Sequence, residues 1–282
     1  MLGEEISVPL LHTLPILTAF SLFLLGLKMA IAATIVVSTS IIAEKSRPFV
    51  AAMVATLPVS AGPALVFLAL DHDDAFIRGT LMGAMSTNMA TAAYCLAYAA
   101  VAQRAGTVVS LASALGAWAM ANLALREIEW TLLLSLACTV LIYAAAIPLA
   151  RKFLSNRLTV APPRAWYAIP LRALAVAGLV AAVTTLSWTL GPYYSGVLAA
   201  LPLVLSSLIA ILQPRIGGPQ TAAMIGNTLV GLLGFGFALG ASVAVIPLVG
   251  RFWALGTGLV FCLAWNGALV LIKRRRAAAG PA

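Results

Sequence analysis

Residues 28–58, KMAIAATIVVSTSIIAEKSRPFVAAMVATLP, and residues 172–202, RALAVAGLVAAVTTLSWTLGPYYSGVLAALP, decide how this chain is read. Lys28, Pro48 and the Leu57-Pro58 pair of the first stretch return as Arg172, Pro192 and Leu201-Pro202 in the second, each displaced by 144 positions. Repetition at a fixed spacing identifies a unit that folds and packs against its own copy. Farther along, the register shifts by four, so that Ala114-Leu115-Gly116 returns as Ala254-Leu255-Gly256 at an offset of 140. The chain divides accordingly into a first repeat, residues 1–128, a second, residues 129–276, and a disordered tail, residues 277–282.

The medium in which these repeats fold follows from composition. Hydrophobic residues make up 62% of the chain and charged residues 9%. Soluble domains carry about a quarter charged residues, so an aqueous globule is excluded. A spanning helix needs roughly 20 apolar residues, and the pattern predicts an all-α polytopic membrane protein with spans at 9–27, 28–46, 49–70, 77–101, 106–125, 130–150, 168–189, 193–212, 219–242 and 247–272. The apolar stretch 9–43 is too long for one crossing and is divided at Gly26-Leu27-Lys28. Residues 9–27 are expected as a retained span, with no basic region before them and no small-residue cleavage site after. Were they to lie along the surface, nine spans would remain. Cys95, Cys138 and Cys262 lie in apolar segments without paired spacing and read as buried thiols.

The net charge of +9 would point to nucleic acid in a soluble protein; here the charges sort by membrane side. One side receives twelve basic residues, Lys45, Arg47, Arg104, Arg151, Lys152, Arg157, Arg164, Arg215 and Lys273 through Arg276. The other receives Arg78, Arg126 and Arg251 with most of the acids, Asp71, Asp73, Asp74, Glu127 and Glu129. Positive charge in short loops marks the cytoplasm, which puts both termini and the linker 151–167 inside. Five spans per repeat is odd, so the two copies enter the membrane from opposite sides and form an inverted repeat, the plan of many secondary carriers.

Candidate site residues come in pairs across the copies. Pro58 and Pro202 fall about ten residues into their spans, where proline frees backbone carbonyls. They read either as broken helices lining a central cavity or as kinks that permit close packing. Ser86-Thr87-Asn88 and Asn227-Thr228 match to within one residue; an amide in hydrocarbon must find partners, so both groups are expected to face the interior, as ligand site or as interhelical glue. Asn122 and Asn266 form a further amide pair. Lys28 and Arg172 head corresponding helices at opposite faces, where they would draw an anionic group to a pathway mouth or snorkel to the interface.

Absences narrow the function. All eight carboxylates lie in loops or at helix ends, and none follows Glu129, so proton coupling through a buried acid is not expected. His12 is the one intramembrane group that titrates near neutrality. Asp71-His72-Asp73-Asp74 has ligands for a divalent cation but reads more simply as a solvated turn. No serine–histidine–aspartate set, HExxH or phosphate loop occurs, so an enzyme is not expected and no cofactor is called for. The expected partners are a small-molecule or lipid ligand, membrane lipids and a second copy in a homodimer, with no nucleic acid.

The blocks from Lys28 through Ala43-Glu44-Lys45-Ser46 to Pro58, and from Arg172 through Tyr193-Tyr194 to Pro202, resemble the small GlpM-like proteins of the bacterial inner membrane. Phe49 to Pro58 and Tyr193 to Pro202 keep that family's spacing of aromatic to proline. The second copy departs from it in having Gly191-Pro192 where the turn should carry Lys-Ser. The resemblance implies location in the inner membrane and a link to alginate production. In gross architecture the chain also looks like the ten-helix drug/metabolite transporters, an analogy of fold alone. The leading expectation is a secondary carrier of a small solute or lipid head group with alternating access at the repeat interface; the alternative is a non-transporting scaffold or accessory of envelope polysaccharide assembly.

Overall fold

The computed structural model describes residues 19–45, 60–153 and 167–278. Pro58, His12 and the prolines of the linker, Pro162 and Pro163, lie outside the described residues. Within them every regular element is a helix: α1 (Ala19–Lys45), α2 (Ala61–Asp71), α3 (Asp74–Val101), α4 (Thr107–Leu125), α5 (Leu132–Arg151), α6 (Ala168–Ala199), α7 (Leu203–Ile216) and α8 (Gly218–Ala278). Five stretches are long and apolar enough to cross a membrane, and two of these, Ala168–Ile216 and Gly218–Ile272, are 49 and 55 residues long. The chain is an all-helical, polytopic membrane protein.

Two glycines turn the longest elements back on themselves. A straight helix of 61 residues would run about 90 Å, three times the hydrocarbon core. Instead α8 breaks at Gly250, whose φ of +75° an L side chain rarely adopts, leaving arms 218–249 and 251–278. Gly191, also at φ +75°, divides α6 into arms 168–190 and 192–199, with Pro192 opening the second. A further interruption at Ala200–Leu201 separates α6 from α7, and Pro202 stands at the N-cap of α7. The predicted break at Pro202 is therefore present.

Three expectations about helix ends are corrected. α1 runs unbroken through Gly26-Leu27-Lys28, which places Lys28 ten residues into the helix and not at its head. One glycine costs a helix only about 1 kcal/mol, and the charge of Lys28 is met from outside the helix by Asp71. The interruption placed between 242 and 247 falls at Gly250, because residues 243–246 are apolar and helical and Pro247 is accommodated in the final turns of its arm. Nor does the four-residue shift of register shorten the second copy's turn: Gly217 alone joins α7 to α8, against His72-Asp73 between α2 and α3. Helix starts at Asp74 and Gly218 keep the spacing of 144.

α3 is the axle of the bundle and packs on α4, α5, α6 and α8. Its two ends belong to different apolar clusters. Ile77, Leu81 and Met85 pack with Leu68, Val180 and Val243; Tyr94, Tyr98 and Ala102 pack with Tyr143, Ile209 and Ile225. Between them Ser86, Thr87, Asn88 and Thr91 are buried as a polar layer. Such a helix is absent from the apolar membrane-crossing stretches because its neighbours, not its own side chains, shield it from lipid. The outward faces of α4, α5 and the 251–278 arm expose large apolar side chains, Val108 at 81% and Leu133 at 80% among them. Water would penalise that surface heavily, whereas lipid tails accept it.

Close approach of backbones holds the axle in place. A Cβ added at Gly83 would strike the Tyr193 carbonyl oxygen, one added at Gly196 would strike that of Thr80, and one at Gly79 would come within 2.8 Å of Pro192 Cβ. Gly83→Ala must push α3 off the 192–199 arm, and we expect a loss of about 1–3 kcal/mol in thermal unfolding in detergent. Gly116→Ala, where an added Cβ meets nothing within 4 Å, is expected to be neutral or to stabilise by up to about 1 kcal/mol in the same assay.

Candidate functional site

The polar layer of α3 is a set of cross-helix bonds. Tyr193 Oη donates to Ser86 Oγ at 2.9 Å, and Thr87 Oγ1 donates to Asn122 Oδ1 on α4 at 2.9 Å. Asn88 Nδ2 donates to the Leu232 carbonyl of α8 at 3.1 Å, a residue 144 positions away, while Tyr143 of α5 donates to the Asn88 carbonyl at 2.8 Å. Asn88 Oδ1, Thr80 Oγ1 and Ser135 Oγ are buried with no hydrogen-bond partner among the described residues. Ser86, Thr87 and Asn88 thus face the interior as expected. The layer is closely packed against α8: a Cβ added at Gly236 would come within 3 Å of Asn88 Nδ2 and Thr139 Cγ2.

The matching residues of the second copy go elsewhere. Asn227 is exposed, and its Nδ2 donates to Ala223 of its own helix. The expectation that it faces inward is corrected. Thr228 Oγ1 likewise bonds within its helix, to the Ile225 carbonyl, and touches the Cys95 thiol. The structure does not bring Asn88 and Asn227 together. A match to within one residue is insufficient, since one residue turns a helix by about 100°. Arg172 lies half-buried in the second turn of α6.

Lys28 belongs to a cluster at the opposite end from Arg215. Its Nζ lies 2.6 Å from Asp71 Oδ2 and 2.7 Å from Oδ1. Next to that pair, Arg251 Nη1 binds Asp74 Oδ1 at 2.9 Å and its Nε donates to the Ala69 carbonyl at 2.7 Å. Asp73 caps α3 by accepting from Phe76 N. His72, expected in a solvated turn, is only 9% exposed. Its Nε2 lies 2.8 Å from Ser187 Oγ, and its ring stacks on Phe76 at 3.7 Å and meets Trp188 at 4.2 Å. The turn is docked on α6 rather than solvated, and its carboxylates are engaged by cations and a helix N-terminus. At the other end Arg215 lies over the Tyr167 ring, and Gln213 Nε2 donates to the Ala105 carbonyl at 3.0 Å.

Sequence reasoning missed a cleft. A cavity of about 570 Å³ lies between α1, α2 and both arms of α8, with Ile31, Ile35, Val66, Leu239, Leu255 and Leu259 on its walls. Its hydroxyls are occupied: Thr39 Oγ1 donates to the Ile35 carbonyl, and Ser242 Oγ to those of Ala238 and Ala254. Val66 and Leu259 are 44% and 47% exposed, so the cleft opens sideways. Gly62 and Gly256 line it with nothing within 4 Å of an added Cβ. The signal in the sequence was the repeated Ala-Leu-Gly at 254–256, whose Leu255 and Gly256 face this space. No family model, curated protein or solved structure matches the chain.

The Lys28–Asp71 pair, with side chains 19% and 23% exposed, is sheltered enough to matter. Lys28→Ala or Asp71→Ala alone is expected to cost about 1–3 kcal/mol by stranding the other charge. The double variant should cost less than the sum by about 1 kcal/mol in a double-mutant unfolding cycle.

Burial holds His72 below its ordinary value of 6.5, with Lys28 acting in the same direction and Asp71 and Asp73 opposing. The folded protein therefore resists protonation that the unfolded chain accepts. Stability contributed by neutral His72 is complete above 6.5 and is lost as pH falls through the lowered folded value. Unfolding midpoints in detergent between pH 7.5 and 5 should fall for the wild type and fall less for His72→Gln.

Proposed function

We propose that the protein is a secondary carrier of the bacterial inner membrane, its two halves threaded in opposite senses and both termini cytoplasmic, moving a small solute or lipid head group at the interface between halves. The observation that carries this reading is the cleft: α1, α2 and Leu81 of the first half form one wall, and the two arms of α8 form the other. Motion of one half against the other would open or close such a space, which is what alternating access requires.

The inverted plan has support of its own. Asn88 touches the residue 144 positions away, as expected where a two-fold axis passes between corresponding helices. Asp71 and Arg215, also 144 apart, end α2 and the last turn of α7. Each meets the early part of the preceding long helix, Asp71 at Lys28 and Arg215 at Tyr167. An acid at one position and a base at its counterpart agree with opposite membrane faces. With α1 as one span, nine crossings are the fuller count for this arrangement, and α5 is the crossing that inverts the second half. Pro58, Pro202, Ser86, Thr87, Asn88, Thr228, Lys28 and Arg172 remain in the proposed site set, and Asn227, turned outward, leaves it. Of these, Lys28 stands one helical turn from Ile31 in the cleft wall, and Ser86 through Asn88 lie along the helix that both halves grip.

A scaffold role is the second reading, favoured by the amides of the polar layer: Asn88 Nδ2 and Asn122 Nδ2 are both spent on helix carbonyls, as packing glue would be.

Two measurements separate these readings. Reporter fusions after His72 and after Gly217 should mark opposite compartments; the same compartment for both would end the inverted plan. In a deletion strain, a solute or lipid should accumulate on one side of the inner membrane and return to normal on complementation. Unchanged metabolites and lipids, together with a partner that survives mild extraction, would replace the carrier by the scaffold.

A further inference from the structure

The cleft's own chemistry narrows what can enter it. Each wall hydroxyl already donates its proton to a helix carbonyl, so a polar solute moving in would find no hydroxyl donor and only the lone pairs of Thr39 and Ser242, at a cost of several kcal/mol. Hydrocarbon meets no such penalty. The volume of about 570 Å³ lies within the range of roughly 300–1,000 Å³ typical of small-ligand sites. The lateral opening is flanked by the exposed apolar side chains of Val66 and Leu259, the surface that lipid tails accept.

One end of the cleft is charged. Ile31, Ile35 and Thr39 lie on one stripe of α1 with Lys28 one turn beyond. Phe252 belongs to the wall, and the Arg251 guanidinium sits 4.9 Å from the centre of its ring. Arg251 commits Nε and Nη1 to Ala69 and Asp74, which leaves Nη2 without a partner among the described residues. At this mouth Lys28 is paired with Asp71 and Arg251 with Asp74, with Asp73 and Arg78 on either side of Asp74 along the chain. A rim of balanced and alternating charge is complementary to a head group carrying both signs, and offers a purely anionic one as much repulsion as attraction.

Resting on the carrier reading and naming the substrate class of that same cleft, we propose that it holds a zwitterionic aminophospholipid. An acyl chain lies between α1, α2 and the 251–278 arm. The phosphate sits by Arg251 and Lys28, where the guanidinium can offer a further charge-assisted bond, and the ammonium sits by Asp73. The membrane supplies the ligand through the lateral opening, with no passage through water.

Native mass spectrometry of the full chain, extracted from vesicles of equal parts phosphatidylethanolamine and phosphatidylglycerol, tests this. The wild type should retain phosphatidylethanolamine over phosphatidylglycerol by about fivefold or more. Gly256→Leu and Gly62→Leu, which grow into open space, should each lower that retention about tenfold with helix content unchanged. Gly116→Leu, equally open but on α4 away from the cleft, should leave it as it was. Arg251→Gln should erase the preference between the two lipids. Equal retention of both lipids by the wild type, or full retention in both cleft-filling variants, would overturn the proposal. Selective retention in a protein whose deletion alters no lipid or solute would keep the lipid site and remove the carrier. A solute that accumulates in the deletion strain without selective retention would do the reverse.

Discussion

Everything in this bundle hangs on how closely α3 can approach the 192–199 arm. Lipid tails are as apolar as leucine, so helices in a bilayer gain little from hiding hydrophobic surface against each other and must instead gain from packing. Gly79, Gly83 and Gly196 let backbone meet backbone, with Pro192, Tyr193 and Thr80 on the facing surfaces. That contact sets α3 at the centre, where α4, α5, α6 and α8 enclose it. Enclosure in turn allows α3 to carry Ser86, Thr87, Asn88 and Thr91 at mid-length, a load that a lipid-facing helix could not bear. Tyr193 links the two levels, contributing its backbone to the glycine contact and its hydroxyl to Ser86.

The ends of the bundle are closed by different chemistry. At one, Lys28 with Asp71 and Arg251 with Asp74 clasp α1, α2, α3 and the 251–278 arm together. His72 sits beside them against Ser187, buried and held toward its neutral form. At the other, Gln213 reaches the Ala105 carbonyl and accepts from Tyr98, so neutral amides and hydroxyls do the same work. The cleft lies under the first of these closures. A space whose walls satisfy their own polar atoms and whose mouth is ionic sorts molecules by shape along its length and by charge at its end.

Much of the fold was legible. The breaks at Gly191 and around Pro202 were marked by Gly-Pro and Leu-Pro, residues that disfavour a continuing helix for reasons internal to the backbone. The sidedness of Asp71, Asp74 and Arg251 followed from charge counting and that of Lys28 from the order of the spans, and the four do gather at one end. Other features misled. Gly26-Leu27-Lys28 looks like a junction, yet one glycine is a weak breaker and the lysine finds its acid 43 residues away. Pro247 looks like a helix start, yet the turn falls three residues later at Gly250, where φ is positive. Asn88 and Asn227 look like a symmetric pair, and one of them is exposed.

By itself the sequence determined that the chain is helical, that it lives in a membrane, which ends of its helices carry charge and that the backbone turns at Gly191 and around Pro202. These depend on composition and on the local preferences of glycine, proline and charged side chains, which act within a few residues. Tertiary structure decided which face of each helix meets a neighbour, hence that Asn88 is enclosed, that Asn227 is not, and that Ile35 and Leu259 border one cleft. The physical reason is the solvent. A soluble helix announces its buried face by an apolar stripe, but in hydrocarbon the stripe facing protein and the stripe facing lipid are chemically alike, so the choice between them is written only in packing.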